Sequence, residues 1–262
     1  MAILNRATTD YETLRVRFEE DICYLQFHRP EANNTINDRL VEECGQVLEL
    51  CRENAKIVIL EGLPEVFCFG ADFQQIQADL ESTSHQAQKD PEPIYDLWLQ
   101  LARGPYLTIA HVRGKANAGG VGFVAACDVV LADDKAVFSL SELLFGLIPA
   151  CVLPFLIRRV GLSKAHHMTL MTQPISAKQA LEWGLVDACE ANSDNLLRKY
   201  LLRLRRLSKQ SIDRYKTYMN SLSDILIASK PQALATNRAV FSDTSNLQNI
   251  ARYVKTGKFP WE

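Results

Sequence analysis

Five residues, Ala118-Gly119-Gly120-Val121-Gly122, stand between an apolar run ending at Val112 and a short apolar stretch, Phe123 to Cys127, that reads as a tightly packed helix. Glycine at such a junction permits close backbone approach and unusual φ values. The first amides of a helix lack partners inside it and face whatever sits in front, which favours an anionic oxygen. The spacing is not Gly-x-Gly-x-x-Gly, and the cluster follows residue 110 rather than a first strand, which argues against a dinucleotide site. A Walker loop also fails, because no Gly-Lys-Ser/Thr follows. Two readings stay open: an oxyanion hole, or glycines that only let a helix pack closely. A second feature is Glu142, in the apolar setting Leu140-Ser141-Glu142-Leu143. A carboxyl there is rarely left without a partner or a task. Burial would raise its pKa toward neutrality, where it can take and give protons. The alternative is a helix-start carboxylate satisfied by backbone amides.

The elements that must position these residues alternate. Leu14, Val16 and Phe18 alternate with Arg15 and Arg17, and Ile22, Tyr24, Leu25 and Phe27 follow an acidic turn, so two short strands are expected within 13–28. Thr35 or Asn37 can cap a helix over 38–54, in which Leu40, Val41, Cys44, Val47, Leu48 and Cys51 share one face. Ile57 to Leu60 and Leu107 to Val112 are compact apolar runs, expected as buried strands of βαβ units, and Val129 to Ala132 is a third. Residues 68–72 read as a turn, 72–81 and 94–103 as helices, and 82–93 as a polar, mobile segment. From about 163 the chain reads as all-helical: 163–172, 177–183, 194–207, 209–228, 231–240 and 244–255.

Composition narrows the class. The 262 residues suffice for one large domain or a domain plus an appendage, and a net charge of -2 gives no field that would favour nucleic acid or an anionic membrane. The basic run Arg203, Arg205, Arg206, Lys209 is local and fits a solvated helix face. The seven cysteines form no CxxC pair, which argues against zinc, and most lie in apolar runs as small hydrophobes, which favours a reducing cytoplasm. The opening MAILNRATTDYE lacks the long apolar core of a signal peptide, and no apolar run reaches membrane-spanning length.

Several motifs in order then make a resemblance specific. Ile109-Ala110-His111-Val112-Arg113-Gly114, three residues, Ala118-Gly119-Gly120, four residues, and Ala125-Ala126-Cys127-Asp128 resemble the signature of the enoyl-CoA hydratase/isomerase (crotonase) superfamily; Ala125 departs from it, being smaller than usual. Phe27-His28-Arg29-Pro30 with Asn33, Asn34 and Asn37 is similar to the family's first ligand loop, and Phe67-Cys68-Phe69-Gly70-Ala71-Asp72-Phe73 to its F-x-x-G-A-D turn. Ile175-Ser176-Ala177, Ala180 and Gly184-Leu185-Val186-Asp187 match a further stretch. The resemblance implies an α/β fold, a spiral of ββα repeats over 1–195 with a C-terminal helical trimerisation region over 196–262. It implies no metal or cofactor. It also implies a thioester enolate whose oxygen is held by the backbone amides of Ala71 and Gly119, with Phe69, Gly70, Asn117, Gly120 and Cys151 around the substrate. Of the family's two usual glutamates, one would fall at Gly122 and is absent; the other falls at Glu142 and is present.

One carboxylate can serve an elimination: it removes the α-proton and the β-hydroxyl then leaves, with Asn117, Ser141, Cys151 or Cys68 as candidate helpers. The segments 28–37, 63–72 and 143–146, and the end Gly257-Lys258-Phe259-Pro260-Trp261-Glu262, resemble the first crotonase-like enzyme of polyketide β-branching cassettes. That resemblance implies dehydration of 3-hydroxy-3-methylglutaryl thioester on an acyl carrier protein to the 3-methylglutaconyl thioester, in a homotrimer or dimer of trimers. Arg113, Lys115 and His111 are candidates for meeting the substrate's free carboxylate. Lys255, Lys258 and the 203–209 run are candidates for meeting an acidic carrier. The rivals are the decarboxylase of the same cassette, a CoA-linked enoyl hydratase, and a catalytically inactive scaffold or RNA-binding module; no basic face with interleaved aromatics supports the last.

Overall fold

The computed structural model describes residues 11–81 and 90–262. The described residues open with an antiparallel pair, β1 (Leu14–Glu19) and β2 (Ile22–Phe27), turned at Glu20 with φ 54. Helix α1 (Asp38–Asn54) follows. Its cap is Asn37, whose side chain accepts from the Leu40 amide at 2.9 Å, and its buried face is Leu40, Cys44, Val47, Leu48 and Cys51, as the spacing predicts.

From there each turn of the chain repeats one pattern. Strand β3 (Ile57–Glu61) joins a first sheet and β4 (Val66–Cys68) a second, before helices α2 (Phe73–Glu81) and α3 (Glu92–Arg103). Strand β5 (Leu107–Val112) returns to the first sheet, β6 (Lys115–Asn117) to the second, and α4 (Gly119–Ala126) follows. Strands β7 (Val129–Asp133) and β8 (Val137–Ser139) divide likewise, followed by a 3-10 turn over Glu142–Phe145 and helix α5 (Leu153–Met171). This is the expected spiral of ββα repeats. It closes with β9 (Ile175–Ser176), α6 (Ala177–Glu182), β10 (Ala188–Glu190), α7 (Ser193–Leu204), α8 (Lys209–Ser221), α9 (Ile225–Ala228), α10 (Lys230–Ser242) and α11 (Thr244–Thr256). The sheets run β1-β2-β3-β5-β7-β10 and β4-β6-β8-β9.

The first sheet is covered on both faces, which explains its unbroken apolar strands. Val58, Leu60, Ala110 and Val112 face the main core with α1, α3 and α4; Ile57, Ile59, Ile109 and Leu131 face Leu196, Leu197 and Leu201 of α7. A boundary at 195/196 thus falls inside a helix that shares the sheet's core. Helix α8 is tied down by Lys216, buried, which donates to Tyr106 O at 2.8 Å and to Asp128 at 2.6 Å. A third cluster joins Phe145 and Leu147, just after Glu142, to Ile250, Tyr253, Val254 and Phe259 of the C-terminal segment and to Phe73 and Ile76 of α2.

Several expectations need correction. The stretch read as all-helical contains two strands: β9 pairs with β8 and β10 with β7, and pairing overrides local preference in segments of two and three residues. Helix α5 begins at Leu153, well before 163, and is interrupted at Gly161, with φ 78 and ψ 164. The segment 209–228 is two helices rather than one. Strand β4 ends at Cys68, the first residue of the stretch read as a turn, β6 lies where no element was expected, and α4 starts at Gly119 rather than Phe123. The mobile reading of 82–93 falls mostly on residues 82–89, outside the described ones. Among the described residues no helix is long and apolar enough to cross a membrane.

Candidate active site

Two neighbouring parallel strands of the second sheet, β4 and β6, deliver the two glycine-bearing segments side by side. After β4 come Phe69-Gly70-Ala71, with Gly70 at φ +87; a Cβ there would stand 2.7 Å from the Ala118 Cβ and 3.3 Å from the Gly119 nitrogen. After β6 comes Ala118, at φ 50 and ψ -120, a conformation strained for any residue with a side chain, and then Gly119 at the start of α4. Gly120 lies against β4 so closely that a Cβ would be 2.2 Å from the Cys68 carbonyl oxygen.

The orientation of the two amides follows from what their peptide groups already do. The Ile36 amide donates to the Gly70 carbonyl at 2.8 Å, and because C=O and N–H of one planar trans peptide point opposite ways, the Ala71 N–H is turned away from Ile36. The Ala118 carbonyl accepts from the Val121 amide at 2.9 Å inside the first turn of α4, so the Gly119 N–H points out of the helix. Among the described residues neither amide donates to a carbonyl or side chain. Two free N–H groups on touching segments form an anion-binding pair.

Side chains hold this frame. Arg29 pairs with Asp72 at 3.2 Å, and the Thr35 hydroxyl donates to the same carboxylate at 3.0 Å, which pins the Gly70–Asp72 turn to the loop before α1. The Asn117 amide accepts from the Ser139 hydroxyl at 2.7 Å and donates to the Ser141 hydroxyl at 3.0 Å, with a longer contact to Phe69 O at 3.4 Å. Asn117 thus ties the oxyanion segment to the turn that carries Glu142. Burial pushes the Glu142 carboxyl up to about 7, against the pull of the backbone amides of Glu142 and Ser141. Those amides leave Oε2 buried and, among the described residues, without a partner. The amide-satisfied reading of Glu142 therefore fails at Oε2.

At Gly122 the missing side chain is replaced by its neighbour: a Cβ would stand 2.5 Å from the Trp98 ring. No spacing in the sequence links residues 98 and 122, and Trp98 reads there only as a helix face.

The remaining candidates are placed elsewhere or do other work. Phe69 is half-exposed on its turn. The Cys151 thiol faces the Ala233 carbonyl at 3.9 Å, and burial pushes it up to about 12, as burial does for Cys68. His111 is buried between Glu61, at 2.9 Å, and Ser193, at 3.0 Å, on the α7 side of β5, so strand alternation turns it away from the main core. Arg113 donates to Gly62 O at 3.2 Å, and Lys115 is exposed. Lys255 pairs with Glu81 at 2.8 Å beside the third cluster, whereas Lys209 lies by Arg52 near the start of β3.

Comparison with known proteins agrees with this geometry. The enoyl-CoA hydratase/isomerase family model matches residues 17–262. The chain is 61% identical to the bacillaene synthase dehydratase PksH of Bacillus subtilis (strain 168), over 96% of this chain and 97% of that one. It is 32% identical to the 2,3-dehydroadipyl-CoA hydratase of Escherichia coli (strain K12), over 73% of each. Among solved structures, a Bacillus subtilis protein described as a polyketide biosynthesis enoyl-CoA hydratase (pksH) superposes with TM-score 0.94 at 60% identity, over 96% of this chain and 100% of that one. Its fold, its sequence and its paired amides agree: the chain belongs to the enoyl-CoA hydratase/isomerase, or crotonase, family of enzymes.

Proposed function

We propose that this enzyme is a dehydratase of polyketide β-branching, converting 3-hydroxy-3-methylglutaryl-acyl carrier protein to the 3-methylglutaconyl thioester. The observation that carries the reading is the single carboxyl: Glu142, raised to about 7 and free at Oε2, accompanies the amide pair, while Trp98 fills the space at Gly122. The 61% identity to a polyketide dehydratase supports the same choice.

In this mechanism the thioester oxygen sits on the Ala71 and Gly119 amides. The Glu142 carboxylate takes the α-proton, and the electron pair of that C–H bond passes into the enolate, whose charge the two amides hold. When the enolate collapses, the C–O bond to the β-hydroxyl breaks and a C=C bond forms. The proton on Glu142 goes to the departing oxygen, water leaves, and the carboxylate is restored. Each preorganised donor is worth roughly 3–4 kcal/mol of barrier. A tertiary β-hydroxyl departs readily, so one acid suffices. The carrier protein supplies the tethered substrate, and the enzyme works as a homotrimer or dimer of trimers in the cytoplasm.

The decarboxylase of the same cassette needs the amide pair but no base, so retention of Glu142 disfavours it. The test is intact mass after mixing the enzyme with 3-hydroxy-3-methylglutaryl-carrier protein and, separately, with the CoA thioester. Loss of water from the carrier-bound substrate is the expected result. Loss of carbon dioxide, preference for CoA, or an unchanged mass would each overturn the proposal.

A further inference from the structure

Among the described residues, Trp98 is the one large side chain at the amide pair whose polar atom has no assigned work. It lies on α3, is 2% exposed, and its ring packs edge-on to Phe123 and Phe155 with centroids at 5.8 and 5.7 Å. Its Nε1–H is buried and has no hydrogen-bond partner among the described residues. The ring borders the first turn of α4: Cζ2, Cη2 and Cε2 stand 2.5, 2.6 and 2.8 Å from where a Gly122 Cβ would be, Cζ2 is 3.9 Å from the corresponding point at Gly119, and Nε1 is bonded to that Cε2. Any side chain at 122 would collide with the ring, so Gly122 is the condition for the indole's place. The neighbouring segment, through Asn117 and Ser141, carries another of the three buried side-chain polar atoms without a partner among the described residues, Glu142 Oε2; the third is Arg113 Nε.

We infer that the Trp98 Nε1–H is a hydrogen-bond donor to the β-oxygen of a bound 3-hydroxyacyl thioester, the oxygen that leaves. A buried donor with no acceptor is unfavourable, so it selects a ligand that brings one. Once the thioester oxygen lies on the Gly119 amide, the β-oxygen is the next acceptor along the acyl chain, within reach of a ring that already borders Gly119. An indole N–H does not give up its proton at neutral pH, so Trp98 orients and steadies the leaving oxygen while Glu142 returns the proton. Trp98 thereby makes the site specific for 3-hydroxyacyl over unsubstituted acyl thioesters. This inference rests on the dehydratase reading, and its test separates the two.

The test uses the full-length enzyme labelled with nitrogen-15, whose three tryptophans give three indole N–H signals. Trp98→Phe identifies the Trp98 signal. A 3-hydroxyacyl pantetheine amide, in which NH replaces sulfur so that the carbonyl oxygen is kept but the α-proton is too weakly acidic for elimination, should move that signal downfield, and the same probe without the hydroxyl should not. In turnover, Trp98→Phe should slow dehydration about tenfold to a hundredfold, the worth of one buried donor. It should slow α-proton exchange of a saturated acyl thioester in deuterium oxide far less, since that step uses only Glu142 and the amides. An indole signal that responds equally to both probes, or a variant that loses both reactions in parallel, would overturn the inference. Should Trp98→Phe fold poorly, the wild-type spectra decide, with Trp183→Phe and Trp261→Phe assigning the signal by exclusion. A wild-type enzyme that releases no water refutes the dehydratase reading instead, and the two probes still report whether the indole meets the hydroxyl.

Discussion

Replacing Glu142 by glutamine should make the protein inactive and, above neutral pH, more stable. The carboxyl has an ordinary value of 4.5 and stands at about 7 in the fold because burial disfavours its charged form. The sign follows from proton binding. The folded state holds this proton more tightly than the unfolded chain, so the group burdens folding once pH exceeds the unfolded value. The burden is absent below about 4.5, grows through the interval, and is complete above about 7. At about 1.4 kcal/mol per pH unit the full interval is worth roughly 3 kcal/mol. The amide of the Glu142→Gln variant carries no charge and escapes it. Thermal unfolding of both proteins from pH 4.5 to 8 should therefore give equal midpoints at the acid end. At the alkaline end the variant should lead by roughly 6–12 °C, at about 2–4 °C per kcal/mol. Dehydration by the wild type should rise with pH through about 7, as the base ionises. The variant should lose about two to four orders of magnitude in turnover. A midpoint difference independent of pH would refute the burial argument, and a fully active variant would refute the catalytic one.

Three further outcomes follow from named contacts. Asn117→Ala removes the links to Ser139, Ser141 and Phe69; kcat should fall about tenfold to a hundredfold with KM little changed, because the Glu142 turn loses its tie to the amide pair. Gly120→Ala drives a Cβ to 2.2 Å from a backbone carbonyl that cannot yield without moving β4; denaturant titration should show a loss of at least about 1–3 kcal/mol together with lost activity. Lys216→Met leaves the Tyr106 carbonyl and one side of Asp128 without their buried donor; a loss of about 3 kcal/mol is expected, measured by urea unfolding at neutral pH.

How far the sequence reveals this site depends on where its information lies. Apolar strands such as Ile57 to Leu60, and the α1 face of Leu40, Cys44, Val47, Leu48 and Cys51, carry their periodicity locally and match the fold. The small residues at 71 and 119 mark the amide pair, since backbone donors leave no other trace. Strands β4 and β6 escape because three residues hold too little pattern to distinguish strand from turn. The place of His111 is fixed by Ser193, which a sequence reading has no reason to bring near. Trp98 and Gly122 fit each other only across α3 and α4, and neither residue alone signals the pair. The support beneath Glu142 is the most distant case: Phe145 meets Tyr253 at 5.1 Å between ring centroids and Phe259 at 5.9 Å.

That distant support sets an order of events during synthesis. The paired amides come from segments already made by residue 119, and the first sheet can pair as its strands emerge. The turn bearing the carboxylate completes its packing once residues 246–259 have cleared the ribosome, as Asn246 abuts Gly146 and Phe259 abuts Phe145, which Phe73 already meets. At about 5–20 residues per second, the interval between translating the turn and translating its support is on the order of ten seconds. A nascent chain in that window has both segments of its amide pair translated, while the turn that carries its base still lacks its C-terminal packing.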